Sequence, residues 1–264
     1  MSQTENKLET IQAVDRAFQI LETISRKGSM SLNDLHKELR VSKASLLRLA
    51  YTLVQNGYLD KNPQTGNYTL TLKAYEVGIS SIQNLDKISL INSTLVDLSR
   101  ETGRIAQFSV EDNNQLLCLQ SIGQKTSSFS IYTTVGRRSP LYCTSAGKAL
   151  LSAYTNTQII EKWETFDVKA LTEHTITDIH SFLQDVSETR RRHYALDREE
   201  NEYHIFCVGA PVMGHSNLPL GAISVSGSSL TEEEEQRIAG ILVPAVKRLS
   251  GLLGYVMEGT SEYF

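Results

Sequence analysis

SLNDLHKELRVSKASLLRLAYTLVQNG, residues 31–57, decides the fold of the N-terminal part of the chain. Ser31 stands three residues before Asp34 in a capping-box-like arrangement, and Leu32, Leu35 and Leu39 then recur at helical spacing as far as Arg40. Ser42 is a second N-cap, followed by an apolar stripe of Leu46, Leu49, Ala50 and Leu53 that Gly57 stops. Two short helices joined by a tight turn are predicted. Upstream, Val14, Ala17, Phe18, Leu21 and Ile24 predict an earlier helix halting at Gly28. Downstream, two alternating runs, 58–61 and 67–72, flank the turn 62–66 and read as a hairpin. Three helices and a hairpin make a winged helix-turn-helix.

The third helix carries Lys43, Ala44, Ser45, Leu47, Arg48 and Tyr51 off its apolar stripe. A cationic outer face at the N-terminal end of such a helix suits the major groove of a double-stranded DNA operator. Arg48 has the fork to hold a guanine, Leu47 would meet a thymine methyl, and Lys43 and Ser45 would reach bases or phosphates. Lys61 and Asn62 on the wing would add affinity through phosphates or the minor groove. The bland alternative, a three-helix unit that only builds a core, makes no use of that face. One module of this kind binds weakly, so a homodimer on a two-fold operator is expected.

The charge pattern agrees. The chain of 264 residues has net charge -4, but residues 1–75 hold 10 Lys+Arg against 7 Asp+Glu, leaving 16 against 23 for the remainder. Only the N-terminal part suits a polyanion. The length and a hydrophobic content of 40% supply two domains. The polar stretch 1–12 lacks an apolar core, and no run approaches the roughly 18 apolar residues of a membrane span, so a cytoplasmic protein without a membrane partner is expected. Three separated cysteines, Cys118, Cys143 and Cys207, argue against a disulfide framework.

From Lys73 a helical pattern runs past a break near Asn84 to Gly103, and its first part serves as a linker helix. The period then switches to two. Residues 105–110 and 115–120 form a hairpin, 129–134 another strand, and 194–197, 205–213 and 220–226 a second set; helices start at Ala146, Thr157, Ile179 and Thr231. The expectation is an α+β fold: winged helix-turn-helix in 1–72, linker helix in 73–89, and an α/β sensing domain with an antiparallel sheet in 90–264.

One constellation carries chemistry. Residues 139–148 run from a loop straight into a helix, placing the amides of Ser145 and Ala146 at a positive helix end suited to a carboxylate. Ser224 and Ser226 share one face of their strand, and Asp197 is able to accept hydrogen bonds from a polyol. The residues alone leave open a capped helix, close sheet packing and a solvated acidic loop.

In order, these segments resemble the IclR family of transcriptional regulators over nearly the whole chain. The matching residues are 42–48, the wing end 65–70, residues 139–148 with Leu150 and Leu151, 197–200, Cys207 through Val212, and 223–227. Departures are Ala44, where the family often has serine, and Leu47, where histidine or tyrosine is frequent. The resemblance implies a GAF-like effector domain, dimers or dimers of dimers, and control by a small ligand without a cofactor. Its effector contacts fall on Ser145, Ala146, Asp197, Cys207, Ser224 and Ser226, with apolar walls at Ile131 and Ile205. Residues 68–73, 136–142 and 175–177 resemble the KdgR-type branch, which implies a repressor of sugar-acid catabolism genes and an effector such as 2-keto-3-deoxygluconate. Another keto acid or an aromatic acid is the alternative effector.

Two other classes are weighed. A cysteine-dependent enzyme would use Cys207 or Cys143 with a base such as His204, but no motif sets out the remaining machinery. A pure protein-interaction module would leave the outer face of the third helix indifferent to substitution. A metal site would need paired short spacing that His174, His180, His193, His204 and His215 lack, apart from His204 with Cys207.

Overall fold

Ser31 and Ser42 act as the caps expected of them: their hydroxyls accept from the backbone N–H of Asp34 (3.2 Å) and Ser45 (3.3 Å), starting α2 (Leu32–Leu39) and α3 (Lys43–Gln55). The turn between them is closed by Arg40 in the left-handed region (φ 54°) and by a ring nitrogen of His36 donating to the Val41 carbonyl at 2.8 Å. α1 (Gln12–Lys27) ends at Gly28, whose φ of 83° suits glycine. Ile20, Ile24, Leu35, Leu46 and Ala50 are fully buried where the three helices meet. A computed structural model describes residues 10–80, 87–123, 135–214 and 218–255, and the chain divides into two units, Met1–Leu85 and Asp86–Phe264.

The hairpin is β2 (Leu59–Lys61) and β3 (Tyr68–Leu70), and β3 also pairs with β1 (Ser29–Met30), giving the sheet order β1-β3-β2. β1 is absent from the sequence reading because two residues show no period. α4 (Leu72–Ser80) begins where the linker helix was expected, while the break at Asn84 lies outside the described residues.

Among the described residues of the second unit a six-stranded antiparallel sheet runs β6-β5-β4-β9-β8-β7, formed by β4 (Ile105–Asp112), β5 (Gln115–Ile122), β6 (Arg138–Pro140), β7 (Ala195–Arg198), β8 (Phe206–Met213) and β9 (Pro219–Gly227). The strand expected over 129–134 lies outside the described residues. Alternation sends Ala106, Phe108, Val208, Ala210, Ile223 and Val225 to one face, against Leu95 and Leu98 of α5 (Ile88–Thr102) and Leu242, Val246 and Leu249 of α9 (Glu232–Leu252). Each such leucine or valine contributes about 1.5–3 kcal/mol by leaving water. α9 carries the Thr231/Glu234 capping box expected of it.

The other face meets α6 (Ser145–Ser152), α7 (Asn156–Trp163) and α8 (Ile179–Arg192). α7 starts just before Thr157, because Thr155 caps it reciprocally with Gln158. Every residue of α6 is buried. Its first turn lies so close to the sheet that a Cβ on Gly209 would sit 2.7 Å from the Ser145 carbonyl carbon and 2.9 Å from the Ala146 nitrogen. Gly209→Ala is therefore expected to lift the start of α6 and destabilise the unit by about 1–3 kcal/mol, as overpacking does; denaturant unfolding of the variant against the parent measures it.

Candidate functional site

Sheet register brings the polar residues together. Asp197 pairs with Cys207, Cys207 with Ser226, and Ser226 with Ile105, so four strands supply one transverse row. The neighbouring row is Gly209, Ser224 and Gln107. These rows face α6, and the space between them and its N-terminus is a cavity of about 60 Å³. Ser145, Ala146, Asp197, Ile205, Cys207, Ser224 and Ser226 all line it; Ile131 lies outside the described residues. Gln107, Ser109, Cys118, Arg137, Thr144 and Asn201 line it as well, and the sequence reading missed them. The polar alternation Gln107, Ser109 in β4 was a signal for two of these. Arg137 and Asn201 come from loops whose place depends on the fold.

The cavity has two chemical ends. The first-turn amides of α6 have no acceptor inside their own helix, and together with the Arg137 guanidinium they suit an anion. Thr144 caps α6 by accepting from Gly147 N at 3.2 Å. Asp197, Asn201, Ser224 and Ser226 form the other end, suited to hydroxyls.

Asp197 is only 2% exposed, and its Oδ1 accepts from Glu200 N at 2.9 Å. Burial, reinforced by the charge of Glu200, pushes its carboxyl up to about 7. Beside it Lys148, 1% exposed, donates to Glu200 at 2.6 Å and pairs with Asp185 at 3.0 Å. Burial opposes the Lys148 charge, but Glu200 and Asp185 outweigh it and hold the ammonium above its usual range. Burial pushes the Cys207 thiol strongly up, and it donates to Ser226 Oγ at 3.2 Å. Burial, then Asp197 and Glu200, do the same to Cys143, whose thiol donates to Asn201 Oδ1 at 3.8 Å. Both thiols stay protonated, while the His204 side chain is 89% exposed, so the cysteine–histidine chemistry has neither thiolate nor positioned base.

In the first unit, Lys43, Ala44, Leu47, Arg48 and Tyr51 form one exposed face of α3, with Leu47 51% and Tyr51 63% exposed. Ser45 sits at its flank, half-buried, accepting from Ser42 Oγ at 3.0 Å and lining a groove against α1. Lys61 is exposed on the wing, its ammonium 5.6 Å from the Tyr68 ring centre. Asn62, exposed, spends its side-chain carbonyl inside the turn, accepting from Gln64 N (2.8 Å) and Thr65 N (3.0 Å).

Residues 13–63 match the IclR helix-turn-helix domain, and residues 79–251 match the bacterial transcriptional regulator IclR C-terminal domain. The chain is 31% identical over 248 residues to the HTH-type transcriptional regulator XynR of Escherichia coli K12, covering 93% of this chain and 98% of that one. It is 27% identical over 249 residues to KdgR of the same organism, covering 94% of each. The KdgR likeness expected from the sequence is thus present, with XynR slightly nearer in identity. The crystal structure of the Thermotoga maritima IclR superposes with a TM-score of 0.80 at 24% identity, covering 93% of this chain and all of that one. The curated relatives are transcriptional regulators rather than enzymes.

The raised Asp197 carboxyl has a measurable consequence. Its proton is retained in the folded state up to about pH 7, against an ordinary value of 3.8, so the stability it contributes is lost as pH rises from about 4 through 7. Asp197→Asn removes that titration. On going from pH 5 to pH 8 the variant is expected to gain about 1–3 kcal/mol relative to the parent, at about 1.4 kcal/mol per pKa unit; urea unfolding at the two pH values reads the difference, and parallel curves would remove Asp197 as the titrating group.

Proposed function

Because the chain belongs to the IclR family of bacterial transcriptional regulators, and is a DNA-binding regulator, we propose that it represses genes of sugar-acid catabolism and that a small carboxylate in the sheet–α6 cavity controls its operator binding. One observation carries the effector reading: the seven described residues picked out as effector contacts line one cavity with an anion-binding end and a hydroxyl-binding end. A sugar acid such as 2-keto-3-deoxygluconate has that polarity, its carboxylate meeting the Ser145 and Ala146 amides and its hydroxyls meeting Asp197, Ser224 and Ser226. Among the described residues the lining is made of small, polar and aliphatic side chains, with Ser109, Ser139, Asn201, Ser224 and Ser226 supplying hydrogen-bonding groups that suit a polyol.

At about 60 Å³ the cavity falls below the roughly 300 Å³ at which small-ligand sites usually begin. Ligand entry is therefore coupled to an opening of the lining. That coupling supplies the second conformation through which a ligand shifts DNA affinity. In this reading α3 enters the major groove, the wing follows the backbone, and residues 73–89, starting with α4, link residues 1–72 to the effector domain of 90–264. The protein acts in the cytoplasm as a homodimer or a dimer of dimers on a two-fold operator. No helix among the described residues is long and apolar enough to cross a membrane.

A thermal-shift screen of keto and sugar acids tests the effector, since a ligand selective for the native state stabilises it by mass action, by about 2.7 kcal/mol at a hundredfold excess over Kd. Asp197→Ala and Ser224→Ala are expected to abolish the shift while sparing DNA binding; a normal response in both would misplace the pocket. Arg48→Ala is expected to weaken operator binding by about 1–3 kcal/mol and relax base preference, measured by titration at fixed salt.

A further inference from the structure

The helix-turn-helix unit has a second cationic feature beside its outer face. A groove of about 310 Å³ runs between the N-terminal part of α1 and the first half of α3, lined by Gln12, Ala13 and Arg16 on one wall and Ser45, Arg48, Leu49 and Thr52 on the other. Among the described residues no carboxylate lines it. Neither Arg16 nor Arg48 pairs with an acid among the described residues, and the nearby Asp15 accepts a hydrogen bond from Thr10 Oγ1 at 2.7 Å. Two arginines thus line one concavity together with the neutral Gln12 and Ser45, the Ser45 hydroxyl oxygen already accepting from Ser42. Like charges gathered without a counter-charge repel; an anion with several acceptor oxygens turns that repulsion into attraction. The groove adjoins the outer face of α3, because Arg48 and Ser45 belong to its wall.

We propose that this groove seats a backbone phosphate of the bound duplex and that Arg16, on α1, is a DNA contact alongside α3 and the wing. The inference rests on the DNA-binding role of this unit. Arg48 then stands at the junction of two tasks, with its guanidinium within reach of both the phosphate seat and the base edges. Arg16 carries no sequence information; it fixes the height and tilt at which α3 enters the groove.

The test uses the full-length protein and a duplex that it selects from a random library, with affinity measured against potassium chloride concentration. Each lost phosphate contact lowers the slope of log K against log salt by about 0.9. Arg16→Gln is expected to lower it by about that amount per bound protomer, and to weaken binding about fivefold per protomer near 0.15 M salt, with the selected base preference unchanged. Arg16→Lys, which keeps the charge, is expected to keep the parental slope; that arm separates charge from packing. An unchanged slope in Arg16→Gln overturns the proposal, and so does a changed base preference, which would make Arg16 a reader. So does a thermal stabilisation by inorganic phosphate alone that Arg16→Gln removes without altering the DNA slope, since the groove would then hold a free anion. Failure of the parent protein to select any duplex would instead sink the DNA-binding role itself.

Discussion

The Lys148 ammonium holds three parts of the second unit in register. It projects from α6, grips the buried Glu200 in the loop after β7 and reaches the partly exposed Asp185 on α8. Burying such a charge costs several kcal/mol unless the pairing is close to complete, and breaking one partner away leaves an uncompensated ion. The loop that carries Glu200 also carries Asp197, and the helix that carries Lys148 begins with Ser145 and Ala146. The anion end and the hydroxyl end of the cavity are therefore tied to each other through one ion pair of 2.6 Å. A ligand that pushes either end is felt by α8 as well.

What was legible in the sequence was local. Ser31 and Ser42 cap within three residues of themselves, and the stripe of Leu46, Ala50 and Leu53 needs only the helical period. Ser224 and Ser226 share a face because strands alternate, whatever lies across from them. What was not legible depends on distant pairings. Lys148 reads as an ordinary helical lysine, since its partners stand 37 and 52 residues away. Arg137 and Asn201 enter the cavity only because β5, β6 and β7 take their particular places in the sheet. The family resemblance bridged part of that gap for Cys207, which composition and period alone left unassigned.

Ser45 shows a subtler limit. Helical spacing puts it off the apolar stripe of α3, but it lies half-buried in the wall of the groove against α1, and its hydroxyl accepts from the N-cap Ser42. Polar and off-stripe is not the same as outward-facing when a second helix covers the flank. Ala44 and Tyr51, by contrast, share the open face with Leu47. That face thus presents a methyl, an aliphatic chain and a phenol between two cations, a surface as suited to thymine methyls as to hydrogen-bond readout.

The wing turn reaches beyond its own geometry. Since Gln64 and Thr65 consume the Asn62 carbonyl, the Lys61–Asn62 tip offers donors and no acceptor from these two side chains. In the minor groove, A·T and T·A pairs expose only acceptors, whereas a G·C pair adds an amino donor. A donor-only tip is blind to the orientation of an A·T pair and leaves a guanine amino group unanswered. Were the wing to enter the minor groove rather than follow the phosphates, the operator's flanks would be constrained in composition rather than in sequence, leaving the order of bases to α3.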